Sequence, residues 1–188
     1  NYLGMIKPAL ALQATHDSFY FIADYHALTS VRDPQAMREL SYDLVATFAA
    51  LGMDFDAHTF FRQSDIPEVT ELTWLLGCVT PFGLLERAHA FKDARARGED
   101  VEHGLVSYPV LMAADILIYD SHEVPVGRDQ QQHLEMTRDI AQRFNHIFGE
   151  TFILPDARIE DEVAVIPGVD GRKMSKSYRN DVPLFSSQ

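Results

Sequence analysis

Cysteine and lysine are scarce in this sequence, and long apolar runs are missing. Its 188 residues include one cysteine, Cys78, which excludes an intramolecular disulfide and a cysteine-based zinc site. A reducing compartment, the cytoplasm, is therefore the expected location. The apolar stretch 108–118 is interrupted by Asp115 and is far shorter than the roughly 20 residues that a membrane-spanning helix needs. We expect no part of this chain to cross a bilayer.

Positive charge is also sparse. The chain has 16 Lys and Arg against 28 Asp and Glu, a formal net charge of −12. Nonspecific nucleic-acid binding draws its affinity from basic groups that neutralise phosphates, so any nucleic-acid contact here must be local. Of the four lysines, Lys173 and Lys176 stand within a stretch of four residues. This concentration of charge is the first indication of a functional site.

Strand-like and helix-like segments alternate along the chain. Apolar and β-branched runs predict buried strands at 19–23, 58–62, 122–126 and 163–166. Apolar residues at helical spacing predict helices at 36–51, 67–78, 84–97, 108–119 and 130–144. The alternation predicts an α/β fold, a Rossmann-like doubly wound parallel sheet with helices on both faces and a helical insertion over about 66–119. Such sheets bind ligands beyond the carboxyl ends of their strands.

Some conspicuous side chains are assigned structural roles. Trp74 and the pair Phe60 and Phe61 are most simply core residues, because large aromatic side chains gain most from burial. Asp24 follows the first predicted strand, where a strand-end hydrogen-bonding role is expected. The histidines form no HExxH pattern, so no protein-held metal site is predicted.

The loop 168–177, GVDGRKMSKS, concentrates groups that suit a polyphosphate. It holds two glycines, an arginine, two lysines and two serines after a predicted strand. Such a segment can move and can offer several positive charges and hydroxyl donors to phosphate oxygens. It lacks the GxxxxGK[ST] spacing of a P-loop, which excludes that mechanism. The alternative is a solvated basic turn.

The letters KMSKS at 173–177 match the signature of class I aminoacyl-tRNA synthetases. The segment 124–144, VPVGRDQQQHLEMTRDIAQRF, resembles the strand–turn–helix segment of tryptophanyl-tRNA synthetases. FIADYHALT at 21–29 and SYPVLMAADILIY at 107–119 are similar to that family in the same order. The resemblance implies ATP-dependent activation of L-tryptophan to tryptophanyl-adenylate and its transfer to tRNA(Trp). It also implies Mg²⁺ carried by the ATP phosphates, and a homodimer.

The resemblance assigns ATP binding to residues Asn1, Gly127, Arg128, Asp129, Val165, Lys173, Met174, Ser175, Lys176 and Ser177. Within this set Lys173 and Lys176 are the catalytic candidates. Activation joins a carboxylate, already a nucleophile, to the α-phosphate, so catalysis is mainly positioning and stabilisation of negative charge. The turn 127–129 would lie at the ribose and adenosine, Val165 near the adenine and Asn1 near the phosphates. Asp129 has an alternative role as a helix cap.

Tryptophan selection is expected on the helix 108–119. Tyr108, Met112 and Asp115 follow at spacings of four and three, hence on one helix face. The resemblance implies that the indole ring rests against Tyr108 and Met112 and that Asp115 accepts its N–H. A buried carboxylate needs a partner, and an arginine is the alternative to the indole.

Further residues complete the implied tryptophan site. Gln130 resembles the residue that holds the ammonium and carboxylate of the substrate. Val124 and Val126 resemble pocket walls, and His26 resembles a pocket histidine near the amino-acid end of the substrate. A lone histidine after a strand can equally be structural.

The resemblance implies that residues 1–188 are one catalytic domain, a fragment of a longer enzyme. The first strand and most of a histidine-and-glycine signature would precede Asn1, and a C-terminal anticodon-binding domain would be absent. A tyrosyl-type synthetase and a noncatalytic nucleotide-binding paralogue remain alternatives. The VPVG-x-DQ turn and the face bearing Met112 and Asp115 favour the tryptophan branch.

Overall fold

The computed structural model describes residues 6–127, 130–159, 168–172, 174 and 180. The helices are α1 (Lys7–Leu12), α2 (Asp24–Ala27), α3 (Pro34–Ala50), α4 (Glu68–Gly77), α5 (Phe82–Leu85), α6 (His89–Ala96), α7 (His103–Leu117) and α8 (Gln131–Phe148). The strands are β1 (Phe19–Ile22), β2 (Thr59–Arg62), β3 (Glu123–Val126) and β4 (Asp156–Ile159). A 3₁₀ turn, Gln63–Asp65, follows β2 directly. Over these ranges, no helix combines the length and the apolar character that crossing a membrane requires.

The strands pair in parallel, and helices connect them. β1 pairs with β2, and the chain between them forms α2 and α3. β3 pairs with β4, and α8 lies between them in sequence. A parallel pair needs such a crossover connection, so the predicted α/β class with parallel strands is confirmed. The predicted strand 163–166 lies outside the described residues.

β4 is a strand that the sequence did not predict. Its residues, DARI, alternate polar and apolar side chains, but the run is only four residues long and two of them are charged. The strand forms because β3 offers a parallel partner, with Glu123 opposite Asp156 and Val126 opposite Ile159. Arg138 of α8 adds a bond at 2.9 Å from its Nη1 to Oδ1 of Asp156. Tertiary contacts therefore decide the conformation of this segment.

Helix α3 begins at a local capping signal in the sequence. The Asp33 side chain accepts a hydrogen bond from the backbone N–H of Gln35 at 2.9 Å, and Pro34 occupies the first turn of α3. The predicted helix 84–97 is wrong, because the backbone is extended at Ala88, with ψ of 135°, between α5 and α6. α7 begins at His103 rather than at 108, and includes Pro109.

The main hydrophobic core lies between α4, α7 and α8. Its buried members include Val69 and Leu76 of α4, Val110, Ala113, Ala114 and Leu117 of α7, and Met136, Ile140 and Ala141 of α8. Ala113 and Ala114 are fully buried, and their small side chains allow close approach of the neighbouring helices. Met136 of α8 is buried in this core, with 3% of its surface exposed.

Trp74 is not a core residue, contrary to the prediction. The core face of α4 carries Val69, Leu72 and Leu76 at spacings of three and four, which leaves Trp74 on the opposite face with 74% of its surface exposed. Phe60 and Phe61 are half-buried instead of fully buried. Phe60 packs beside Phe48 in a second, smaller apolar cluster, with ring centroids 5.4 Å apart.

Candidate active site

Asp115 is the one buried carboxylate in the described part of the chain, with 5% of its surface exposed. Its neighbours in the α7 sequence, Ala114 and Ile116, are buried too. Its partner is Gln63, whose Nε2 lies 2.9 Å from Oδ1 and 2.8 Å from Oδ2. No arginine pairs with Asp115 within the described ranges. A neutral amide therefore supplies the hydrogen bonds that a buried carboxylate requires.

Gln63 is a site residue that was not predicted from the sequence. It is fully buried at the start of the 3₁₀ turn that follows β2. Its Oε1 accepts hydrogen bonds from the backbone N–H groups of Tyr25 at 3.0 Å and His26 at 3.4 Å. Its position immediately after a strand was an available signal, because the carboxyl ends of parallel strands are where sites form.

His26 of α2 joins this buried network. Its Nδ1 lies 3.0 Å from Nε2 of Gln63 and 3.6 Å from Oδ2 of Asp115. Burial lowers the pKa of His26, and the hydrogen bond with Gln63 acts in the opposite direction. The net effect favours the neutral imidazole at neutral pH. The His26 ring also meets the Tyr108 ring edge-on, with centroids 6.2 Å apart.

Tyr108 connects the same helix face to α8. Its hydroxyl lies 2.5 Å from Nε2 of His133, and the two rings are 5.3 Å apart. Burial raises the pKa of the Tyr108 hydroxyl, so that group is neutral at ordinary pH. A cavity of about 220 Å³ adjoins this face. Its lining residues are Tyr25, His26, Thr29, Thr70, Thr73, Gly104, Ser107, Tyr108 and Leu111.

The Asp24 side chain connects the segments that follow β1 and β2 through hydrogen bonds. Its Oδ1 accepts hydrogen bonds from the backbone N–H groups of Tyr25 at 3.1 Å and Ser64 at 3.0 Å. Its Oδ2 accepts another from the Ser64 hydroxyl at 2.5 Å. The predicted strand-end role of Asp24 is confirmed. These bonds fix the backbone that carries His26 and Gln63.

The other predicted site residues fall into two groups. Met112, Val124, Val126, Gln130 and Met174 are half-buried, and Gly127 is exposed directly after β3. Val124 and Val126 share one face of β3, as the alternation of burial along that strand indicates. The remaining residues, Asn1, Arg128, Asp129, Val165, Lys173, Ser175, Lys176 and Ser177, lie outside the described residues.

The start of the lysine-bearing loop is tied to its far end. The backbone N–H of Val169 donates to the carbonyl oxygen of Asn180 at 3.1 Å, and the Asn180 amide donates to Oδ1 of Asp170 at 2.7 Å. This bond and the ion pair with Arg172 lower the pKa of Asp170. A Cβ on Gly168 would lie 2.6 Å from the Asn180 carbonyl oxygen, so this close approach requires glycine.

Because burial raises the pKa of Asp115 from 3.8 to about 7, stability is expected to fall as pH rises. Between these values the folded chain keeps a proton that the unfolded chain releases. The difference corresponds to on the order of 4 kcal/mol. Asp115→Asn should remove this pH dependence and stabilise the protein above neutral pH. Urea unfolding at about pH 5 and about pH 8 tests this, and an unchanged pH dependence in the variant would contradict it.

Residues 2–188 match the family model for class I tRNA synthetases (W and Y). The chain belongs to this family. Within it, the chain is 57% identical to the tryptophan–tRNA ligase of Pseudomonas aeruginosa, over 99% of its own length and 44% of that protein. It is 54% identical to the tryptophan–tRNA ligase of Fusobacterium nucleatum, over 100% of its own length and 58% of that protein. The chain thus spans about half the length of these relatives.

Solved structures agree with this placement. The tryptophanyl-tRNA synthetase of Campylobacter jejuni, complexed with ADP and tryptophan, matches the whole chain with a TM-score of 0.94 and 52% identity, over 59% of that structure. The tyrosyl-tRNA synthetase of Archaeoglobus fulgidus has a TM-score of 0.75 at 21% identity, which shows a shared fold alone. The predicted resemblance to tryptophanyl-tRNA synthetases is confirmed.

Proposed function

We propose that the protein to which this chain belongs activates L-tryptophan with ATP and transfers the tryptophanyl group to tRNA(Trp). The observation that carries this proposal is the buried Asp115, held by a neutral amide on a helix face that also bears Tyr108 and Met112. The carboxylate of Asp115, in its ionised form, is a strong acceptor for a heteroaromatic N–H. The family relationship supports the same reaction.

The proposed tryptophan site uses α7 for the ring and other elements for the amino-acid end. The indole rests against Tyr108 and Met112, and Asp115 accepts its N–H. Gln130 at the start of α8 binds the ammonium and carboxylate groups, and His26 lies near them. Val124 and Val126 form walls. A ligand without the N–H leaves Asp115 without that partner, which is a strong basis for rejecting phenylalanine. Tyrosine is excluded by shape.

The proposed ATP site uses the turn after β3 and the lysine-bearing loop. Gly127, Arg128 and Asp129 bind the ribose and adenosine, with Val165 near the adenine and Asn1 near the phosphates. Lys173 and Lys176 stabilise the charge that develops as pyrophosphate leaves, and Met174, Ser175 and Ser177 complete the loop. The carboxylate of the amino acid attacks the α-phosphate without needing a general base.

Mg²⁺ is proposed to arrive with ATP. In the described ranges no three His, Cys, Asp or Glu side chains form a group that could hold a metal ion. The acids nearest the site are already engaged, Asp115 by Gln63 and Asp24 by Ser64. Phosphate oxygens and water are therefore the proposed ligands, and the ion would neutralise phosphate charge during the transfer.

We propose a homodimer located in the cytoplasm, where tRNA is charged. Exposed apolar side chains near the end of α4 and on α5 support a subunit contact, with Trp74 74% exposed and Phe82 60% exposed. Large exposed aromatic groups of this kind are typical of interfaces. Sedimentation equilibrium of the full-length protein tests the oligomeric state, and a monomer would contradict the proposal.

Tryptophan-dependent exchange of labelled pyrophosphate into ATP tests the reaction. The full-length protein is expected to catalyse this exchange with tryptophan and to charge tRNA(Trp). Exchange that depends on tyrosine would favour the tyrosyl-type alternative. Binding of ATP or tryptophan without exchange would favour the noncatalytic paralogue.

Gly168→Ala is expected to slow activation by about tenfold while leaving tryptophan affinity nearly unchanged. The added Cβ would collide with Asn180 and open the connection between the two ends of the lysine-bearing loop. Single-turnover formation of tryptophanyl-adenylate measures the rate. Gly83→Ala is the matched control, because a Cβ there meets no atom within 4 Å. Equal rates for both variants would contradict this role of Gly168.

A further inference from the structure

The orientation of the Gln63 amide is determined by its surroundings. The backbone N–H groups of Tyr25 and His26 can only donate, so the atom that receives them at 3.0 and 3.4 Å is the carbonyl oxygen Oε1. Nε2 must then face the opposite side, where Asp115 and Nδ1 of His26 lie. The backbone after β1 thus aligns an amide attached to the end of β2.

The two hydrogens of Nε2 have separate acceptors. One is shared between the two oxygens of Asp115, which lie 2.9 and 2.8 Å away. The other faces Nδ1 of His26 at 3.0 Å. An ionised carboxylate has about four lone-pair positions, so Gln63 leaves acceptor capacity on Asp115 for a ligand. A neutral amide orients the carboxylate without cancelling its charge, whereas an arginine would do both.

We propose that Gln63 is a positioning residue for substrate selection, which orients the Asp115 carboxylate toward a heteroaromatic N–H donor. This inference rests on the proposed function. Gln63 is itself fully buried, so it acts through Asp115 and not by touching the substrate. Its loss would leave Asp115 buried without its donor and free to rotate, and the preference for an N–H ligand would weaken.

The environment of Asp115 makes a pH-dependent test possible. Among the described residues, the titratable groups that face it are His26 on α2 and Tyr119 just beyond α7. Burial lowers the pKa of His26 and raises that of the Tyr119 hydroxyl, so both are neutral near pH 7. Asp115 is therefore the group whose charge changes near neutrality. In Gln63→Glu a second carboxyl would face it, and the pair would share one proton.

The experiment compares tryptophan with its benzothiophene analogue, β-(benzothiophen-3-yl)alanine, in which sulfur replaces the indole N–H. Pyrophosphate exchange by the full-length protein gives kcat/KM for each amino acid. The unmodified protein is expected to prefer tryptophan strongly, and Gln63→Met should reduce that preference by about tenfold, mainly through the tryptophan KM. The KM for ATP should stay unchanged.

Gln63→Glu supplies a second variant of nearly identical shape. It keeps the oxygen that the Tyr25 and His26 backbone groups need, but loses the donor to Asp115 at high pH. Its preference for tryptophan should recover as pH falls, since a protonated Glu side chain donates as the amide does. The unmodified protein should show the opposite trend as Asp115 becomes protonated. A purely structural role would not reverse the pH profile.

Gln13→Met is the matched control. Gln13 also bridges two segments, donating to the Leu10 carbonyl at 3.1 Å and accepting from the Asp54 N–H at 3.0 Å, but it has no contact with Asp115. The Gln13→Met variant should prefer tryptophan over the benzothiophene analogue as strongly as the unmodified protein does.

Three outcomes would overturn the inference. The first is an unchanged preference in a folded Gln63→Met protein. The second is an equal loss with both amino acids, which indicates a structural role. The third is a pH profile of substrate preference in Gln63→Glu that runs parallel to that of the unmodified protein. This profile decides the question if Gln63→Met does not fold. No tryptophan-dependent exchange by the unmodified protein would instead refute the proposed function, and this inference with it.

Discussion

Asp115→Ala is expected to weaken tryptophan binding by about 100-fold, with a much smaller effect on ATP. A hydrogen bond to a charged group contributes roughly 1.5–3 kcal/mol, and the variant also leaves the Gln63 amide without its acceptor. Equilibrium dialysis with labelled tryptophan measures the affinity. Tryptophan binding by the unmodified protein should also strengthen as pH rises through about 7, where Asp115 loses its proton.

A matched control separates this effect from general loss of charge. Asp93→Ala removes an exposed carboxylate from α6 and should leave tryptophan affinity unchanged. Tryptophan affinity that survives in Asp115→Ala would show that the indole N–H has another acceptor. A fall in ATP affinity alone would place Asp115 on the nucleotide side of the site.

Lys176→Ala is expected to lower the rate of adenylate formation by about 100-fold or more, while tryptophan affinity stays within about twofold of the unmodified value. Removal of one preorganised group that stabilises developing negative charge typically costs about 10²–10³ in rate. In the proposed mechanism, Lys176 acts on the pyrophosphate that leaves, not on the amino acid. Stopped-flow or quench-flow formation of tryptophanyl-adenylate measures the rate.

Lys92→Ala is the control for this substitution. Lys92 is one of the four lysines and lies exposed on α6, so its loss should not change the rate. Weak tryptophan binding with a normal activation rate in Lys176→Ala would reverse the two proposed roles. Together, the Asp115 and Lys176 variants test the selection of tryptophan and the rate of adenylate formation separately.

The two expectations assign opposite electrostatic tasks to different parts of one acidic chain. In the proposed tryptophan site, the ionised Asp115 carboxylate offers a buried negative charge to an uncharged donor, and its partner Gln63 is neutral. In the proposed ATP site, the lysines of the loop supply positive charge to phosphates in a molecule whose formal net charge is −12. A site of this kind needs local positive charge, because the overall field repels polyanions.

Gly168 and Asn180 illustrate how the fold prepares the lysine-bearing loop. Both positions flank the KMSKS letters in sequence, and a backbone hydrogen bond from Val169 brings them together. The sequence predicts that this glycine allows the loop to move. The contact with Asn180 provides a different reason for glycine at this position, since no other residue allows so close an approach.

Local sequence patterns were sufficient to predict the structure wherever the decisive contacts are between residues close in sequence. The cap at Asp33 and the spacing of Tyr108, Met112 and Asp115 on one helix depend on residues within two turns. The alternation of strands and helices predicted the parallel α/β fold, because it reflects local periodicity. The sequence motifs also identified the family, since each motif is a run of consecutive residues and the motifs follow one another in the order that the family shows.

By itself, then, the sequence determined the fold class, the family and the helix face that carries Asp115. Only the tertiary structure decided that Gln63 is the partner of that acid, 52 residues away in sequence, that DARI forms a strand and that Trp74 faces outward. The physical reason is the same in each case. These outcomes depend on which element packs against which, and local sequence patterns do not specify the hydrogen bonds and buried surfaces between distant segments.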